Sequence, residues 1–300
     1  MSDIGEHVFD RQRDLPELLA MVGRARATSD PHAFLHTGGL QWLLRRLGRE
    51  TFAVLRWTHG DAVAGFGVDD GGYVMIQSAG PSLDRHLALL DQAEARVKRR
   101  GQAVIEVSAW DGDRELLAAL TSRGYALSGT YGHELVCELV DRPPAPRLPK
   151  GFSMRWLEGD LDDPYVELHR AAWSTRAPSD YDRRLHASVT SMPDFDRKLV
   201  PIIAAPDGAL AAYCIAWFDP RTETVEIEPL GTHPEYRRLG LGRAIVQEVL
   251  RRSAARGARS VMVWGAHKND AAIQLYESAG LRSRRVLREY KRVLSDARPR

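Results

Sequence analysis

The groups best suited to chemistry gather in one stretch, Thr224 to Arg256, which reads TVEIEPLGTHPEYRRLGLGRAIVQEVLRRSAAR. Gly240 and Gly242, with Arg237, Arg238 and Arg243, stand just ahead of an amphipathic run. Glycines let backbone N–H groups turn toward an anion, and a helix N-terminus adds about half a positive charge. Arginines add charge-assisted hydrogen bonds. The chemistry this predicts is phosphate binding, and the plain alternative is a turn with solvated arginines. Two other phosphate loops are excluded by their own requirements. A dinucleotide fingerprint needs a small residue where Ile245 stands, and a nucleoside-triphosphate loop needs Gly-Lys-Ser/Thr, which is missing here.

The elements that must hold this loop are legible around it. Thr224, Val225 and Ile227 suit a pleated strand, and Pro229 and Pro234 mark where pairing stops. Leu241, Ile245, Val249 and Leu250 share one helix face, while Arg243, Gln247, Arg251 and Arg252 share the other. Gly257 stands at the expected helix stop.

Downstream runs NDAAIQLYESAGL, Asn269 to Leu281. Its Asn269, Ala272, Leu275-Tyr276 and Gly280, together with the R-x-x-G-x-G of Arg237, Gly240 and Gly242, resemble the two motifs of the GNAT superfamily of acyl-CoA-dependent N-acetyltransferases. The motifs stand in the family's order, one helix and one strand apart, and the resemblance covers about residues 150 to 294. It implies acetyl-CoA as the acyl donor. It also implies a pantetheine arm paired along Leu230, Gly231 and Thr232, much as an added strand would pair. The pyrophosphate would lie on Arg237, Arg238, Leu239, Gly240, Leu241, Gly242 and Arg243, with Asn269 and Tyr276 near the thioester. On the residues alone, Asn269 is equally a helix N-cap, and Tyr276 equally a packing residue.

Acetyl transfer needs a neutral amine. A lysine-like amine with pKa about 10.4 is mostly protonated at pH 7, and a carboxylate can take the proton, directly or through water. Glu226 and Glu228 alternate onto one strand face ahead of the acetyl position. The resemblance puts Glu226 where related enzymes carry their base, and Glu228 is nearer the thioester; the choice between them stays open. Either can instead bind a substrate cation or pair with arginine. Tyr276, with a phenol pKa near 10 against about 8.5 for a thiol, can protonate the leaving thiolate, and this is its role by family analogy. Cys137 and Cys214 lie outside both motifs, so direct transfer is expected rather than an acyl-enzyme. For the acceptor, Trp173, Asp180, Tyr181 and Asp182 offer an aromatic and acidic mouth, or else a capped helix pair around a buried Trp.

The rest of the chain repeats this order. Gly101 to Gly124 and Gly257 to Gly280 are spaced alike, an offset of 156 residues. That offset sets Pro81, Asp84 and His86 opposite Arg237, Gly240 and Gly242, so the first half lacks the glycine loop. Asp141 to Gly151, DRPPAPRLPKG, reads as a proline-rich linker. The expected class is α+β, two tandem GNAT-like domains, each with a mixed, mostly antiparallel sheet flanked by helices. A degenerate domain spans 1–140, the linker 141–151 and the catalytic domain 152–300.

Composition narrows the partners. With 300 residues, 44% hydrophobic, 27% charged and a net charge of +2, the chain is globular and not basic enough to suggest nucleic acid. The arginines of 96–100 and 282–285 are expected on solvated faces. No signal sequence and no apolar run long enough for a membrane are apparent, so a cytoplasmic monomer or homodimer is expected. His32 and His36 have a helical metal-ligand spacing but no evident third ligand, so no metal is expected. The function expected is acetyl transfer from acetyl-CoA to a primary amine of a small molecule. The alternatives are a non-catalytic acyl-CoA sensor or scaffold, and a protein N-acetyltransferase.

Overall fold

The computed structural model describes all residues except 1–8, 29–32, 51, 60, 61, 79, 81, 141, 142, 175–177, 267, 268 and 295–300. They fall into two units. The first holds Met1–Leu40, Arg46–His133 and Arg285–Arg300, and the second Gln41–Arg45 and Glu134–Arg284.

The first unit opens with α1 (Arg11–Ala27), whose N-cap Asp10 accepts from the Arg13 amide at 2.7 Å. The first turn of α2 (Thr37–Leu44) follows, and then a meander of β1 (Phe52–His59), β2 (Ala62–Asp70) and β3 (Tyr73–Ser78). Next come α3 (Leu83–Arg99), β4 (Val104–Trp110), α4 (Arg114–Ser122) and the start of β5 (Ala126–Glu138). The apolar face of α3, with Leu89, Leu90, Ala93 and Val97, packs on Ile105 and Val107 of β4. The opposite face is not simply solvated. Arg96 and Arg100 reach the buried carboxylate of Asp69, at 2.7 and 3.1 Å. Strands β1, β2 and β3 pair antiparallel, and β3 and β4 run parallel.

The second unit contains β6 (Ser153–Trp156), α5 (Asp162–Trp173), α6 (Arg183–Thr190), β7 (Pro201–Ala204), β8 (Leu210–Asp219) and β9 (Thr224–Thr232). It continues with α7 (Leu241–Ala255), β10 (Ser260–Ala266) and α8 (Asp270–Ser278). Its strands lie in the order β10, β9, β8, β7, β6. All pair antiparallel except β9 with β10. Leu241, Ile245, Val249 and Leu250 of α7 pack on Ile203, Ala212, Ile227 and Val261, as the helical periodicity requires.

The duplication is visible element by element. A shift of 156 residues carries Val104–Trp110 onto Ser260–Ala266 and Arg114–Ser122 onto Asp270–Ser278, without a gap. The strands that follow these helices change company. β5 begins in the first unit and ends in the second, where the Leu139 amide donates to the Arg259 carbonyl at 2.7 Å. The last strand, β11 (Arg282–Val293), enters the first unit and pairs antiparallel with β4, from Leu287 opposite Trp110 to Val293 opposite Val104. Pro143–Gly151 carries no helix or strand.

No described helix is long and apolar enough to cross a membrane. His36 is buried, and its Nδ1 accepts from the Gly38 amide at 3.0 Å; His32 lies outside the described residues. Among the described residues no group of three or more His, Cys, Asp or Glu could hold a metal.

Candidate active site

The site begins where two parallel strands part. β9 and β10 pair from Thr224–Ser260 to Ile227–Val263, yet both continue, to Thr232 and Ala266. Against β8, Ile227 faces Ala216 and Leu230 faces Cys214, so β9 holds one residue more than its partner over this interval. Such a bulge bends a strand and re-aims its side chains. It leaves the backbone of Leu230, Gly231 and Thr232 at the edge of the gap and Glu228 at its mouth. The Trp217 indole fixes that corner by donating to the Glu228 carbonyl at 2.6 Å.

The charges around the gap are coupled. Glu228 is half-buried, and its carboxyl is pushed up to about 7, by burial first and then by the charge of Glu226; Arg45 pulls it back. Glu226 is buried within the paired part of β9. The phenol of the buried Tyr276 is raised well above its ordinary value by burial, then by Glu228 and Cys214. A carboxylate that titrates near neutrality therefore neighbours a phenol that stays protonated.

The loop Arg237–Arg243 runs into the start of α7. Arg238 and Gly240 both have left-handed backbone, with φ of 68° and 78°. A Cβ on Gly240 would touch nothing, so backbone conformation alone calls for glycine there. Gly242 has a different reason from the one the sequence suggests. A Cβ there would lie 2.5 Å from Leu275 Cδ1, so this glycine seats α8 against the first turn of α7. No side chain caps α7 and no acid stands in its first turn; Leu239, Gly240 and Arg243 are exposed. Arg237 is committed elsewhere. It donates to the carbonyls of Thr232 (3.3 Å) and Ala172 (3.0 Å), tying the loop to the ends of β9 and α5. Asn269 caps α8, its Oδ1 accepting from the Ala272 amide at 3.2 Å.

An open, uncapped helix start beside a parted strand pair suits a diphosphate followed by an extended arm. The equivalent place in the first unit is filled by its own chain. There α3 is capped by Ser82, which accepts from the Arg85 amide at 3.3 Å, and Asp84 stands in the first turn. β3 and β4 also part, after Met75–Ser108. Beyond that point Gln77 Oε1 accepts from the amides of Phe34 and Leu35, at 3.0 and 2.7 Å, and Phe34 lies against Trp110.

The acceptor-side residues expected from sequence divide. Trp173 is half exposed and donates through its indole to Tyr213 Oη at 2.8 Å. Tyr181 is buried; Asp182 caps α6 by accepting from the Leu185 amide at 2.8 Å, and Asp180 is exposed. The aromatic part of the expectation has a structural counterpart, while one of its two acids serves a helix end. Sequence reasoning missed Tyr165 and His169, although Tyr165, His169 and Trp173 recur every fourth residue along one face of α5. It also missed Trp42 and Arg45, for which nothing local in the sequence gives a signal. Gln41 holds them in the second unit, exchanging hydrogen bonds with Asp194 (2.7 and 3.1 Å). Arg45 lies over the Trp42 ring at 3.8 Å. Tyr213 links this cluster to the gap, because its ring lies so close to Gly231 that a Cβ there would fall 2.5 Å from Tyr213 Cε1.

Residues 163–281 match the model of the Acetyltransferase (GNAT) family. The chain is 27% identical over 285 residues to a mycothiol acetyltransferase of Streptomyces coelicolor, covering 88% of this chain and 86% of that one. A solved GCN5-related N-acetyltransferase from Sphaerobacter thermophilus superposes with a TM-score of 0.63 at 18% identity, over 98% of each chain. A tandem GNAT protein of the clavulanic acid biosynthesis pathway gives 0.65 at 15% identity, over the whole of both chains. At such identities the two solved structures speak for the fold alone.

Proposed function

We propose that this chain, whose residues 163–281 match the Acetyltransferase (GNAT) family and which resembles a mycothiol acetyltransferase, moves an acetyl group from acetyl-CoA directly to a primary amine of a small molecule. In this reading Glu228 is the general base and Tyr276 the general acid. One observation carries it: at the mouth of the strand gap, a carboxyl titrating near 7 neighbours a phenol held protonated.

When bound, acetyl-CoA supplies the activated acyl carbonyl and the thiol leaving group. The loop backbone of Leu239–Arg243, with Arg238 and Arg243, would hold its pyrophosphate, and Leu230–Thr232 its pantetheine arm. Glu228 takes the proton of the incoming ammonium. A base with a pKa near 7 is half ionised at neutral pH and matches that task better than an ordinary carboxylate. Glu226 tunes the base, since its neighbouring charge helps to keep Glu228 near neutrality. Tyr276 returns a proton to the departing sulfur. Arg237 positions the loop.

The mycothiol acetyltransferase relative and the aromatic cluster beside Gly231 support a small acceptor. Donor binding in the second unit alone accords with the Ser82 cap that closes the start of α3. The test is release of free thiol from acetyl-CoA across a panel of primary amines, with wild type and Glu228→Gln compared at pH 8. Amine-dependent release that falls at least a hundredfold in the variant supports the assignment. Release that is unchanged contradicts it.

A further inference from the structure

Helix α5 carries two buried polar groups that have no hydrogen-bond partner among the described residues. His169 is 5% exposed with both ring nitrogens unpaired, and Tyr165 is 0% exposed with its hydroxyl unpaired. They lie one helical turn apart on the same face. Folded interiors seldom leave such groups unsatisfied, and an exception asks for a ligand or a bound water.

A neighbour shows what a purely structural histidine looks like here. His186, equally buried on α6, uses both nitrogens: Nδ1 meets Tyr181 Oη at 3.1 Å and Nε2 meets Asp162 Oδ1 at 3.1 Å. His169 lies among aromatic rings instead. It stacks on Tyr181 at 3.7 Å with 18° between planes, and Tyr213, Trp42 and Trp173 follow at 5.5, 6.0 and 6.2 Å.

The imidazole is neutral at every working pH. Burial, with the charges of Arg45 and His186, holds it down to about 3. A neutral imidazole offers one N–H donor and one acceptor. A carboxylate or phosphate would use only the donor, and an ammonium only the acceptor. A hydroxyl engages either nitrogen and also suits the free phenol of Tyr165. The surrounding rings accept the carbon face of the same molecule. Tyr213, 5.5 Å from His169 and pressed on Gly231, brings this pair beside the strand that carries Glu228.

We propose that His169, with Tyr165, is an acceptor-specificity residue whose imidazole pairs with a hydroxyl of the acceptor, so that the enzyme selects hydroxylated primary amines over their deoxy counterparts. This rests on the acetyltransferase reading above only in naming the ligand the acceptor; binding itself is read separately.

The experiment titrates trans-2-aminocyclohexanol and cyclohexylamine into protein with 15N-labelled histidine, in the presence of CoA, with His169→Phe and His169→Gln beside wild type. The His169 ring signal, assigned by its loss in His169→Phe, should move with the amino alcohol and not with cyclohexylamine. His169→Phe should weaken the amino alcohol at least tenfold and leave cyclohexylamine within twofold. Acetyl-CoA affinity and Tm should hold, and His169→Gln should recover part of the loss. No response to the amino alcohol, or equal responses to both amines, overturns the proposal. So does a His169→Phe protein that loses Tm and both amines together, which marks a packing role. Thiol release separates the two readings. Selective binding without release leaves this subsite standing and removes the transfer reading, whereas release that ignores the hydroxyl does the reverse.

Discussion

Glu228 stands just past the part of β9 paired with β10, and its charge is one of those that raise the phenol of Tyr276 on α8. The carboxyl is pushed up to about 7, and its charge in turn helps to hold the Tyr276 phenol protonated. Burial is the largest cause for both groups, so the fold that closes the site also sets its protonation.

That arrangement has a stability cost with a defined sign. Glu228 binds its proton more tightly folded, near 7, than at the ordinary 4.5. Between those values the folded state holds the extra proton, so stability falls as pH rises and the penalty is complete above pH 7. Glu228→Gln should therefore raise stability at pH 8 by at most about 3 kcal/mol, and the gain should vanish near pH 4. Urea titrations at both pH values check this.

Neighbouring charges should move the acid limb of the pH–rate profile in opposite directions. The limb should follow Glu228, with turnover rising to a plateau above about pH 7. Glu226→Gln removes a charge that raises Glu228, and so shifts the limb to lower pH. Arg45→Met removes one that lowers it, and so shifts the limb to higher pH. Profiles of kcat/KM for the two variants decide it, and shifts of the same sign would contradict the assignment.

Tyr276→Phe keeps the ring that packs in the core and deletes the proton donor. Turnover should fall about a hundredfold or more, while acetyl-CoA affinity stays within about threefold. Single-turnover kinetics beside a binding titration separate these effects.

The two loop glycines should fail differently. Gly240→Ala places a Cβ at a φ of 78° in open space, so it should cost about 1–2 kcal/mol with no rescue by any neighbour. Gly242→Ala should be rescued by Leu275→Ala, the side chain its Cβ would meet. Thermal melts of the single and double variants form the test.

Much of this was legible in the sequence because local pattern governs it. The period of α7, the stop at Gly257, the two motifs and the 156-residue repeat depend on neighbours along the chain, and each has its element in the structure. What was hidden depends on partners far away. Gly242 reads as a phosphate-loop glycine until Leu275 is seen beneath it. Arg237 reads as a phosphate ligand until its guanidinium is found on Ala172 and Thr232. The spacing of β11 is the same whichever sheet it joins, so its pairing with β4 leaves no mark in the sequence. Trp42 and Arg45 reach the second unit from more than a hundred residues away, with no local motif to announce them. The two glutamates could not be ranked before the bulge in β9 was known.

The central claim is that this chain binds acetyl-CoA at the α7 loop of the second unit and nowhere else. A calorimetric titration with acetyl-CoA tests it most directly. The account predicts one site per chain, weakened at least tenfold by Arg243→Glu in the exposed loop and untouched by Ser82→Ala at the capped start of α3. Two sites per chain, or no binding at millimolar acetyl-CoA, would contradict it.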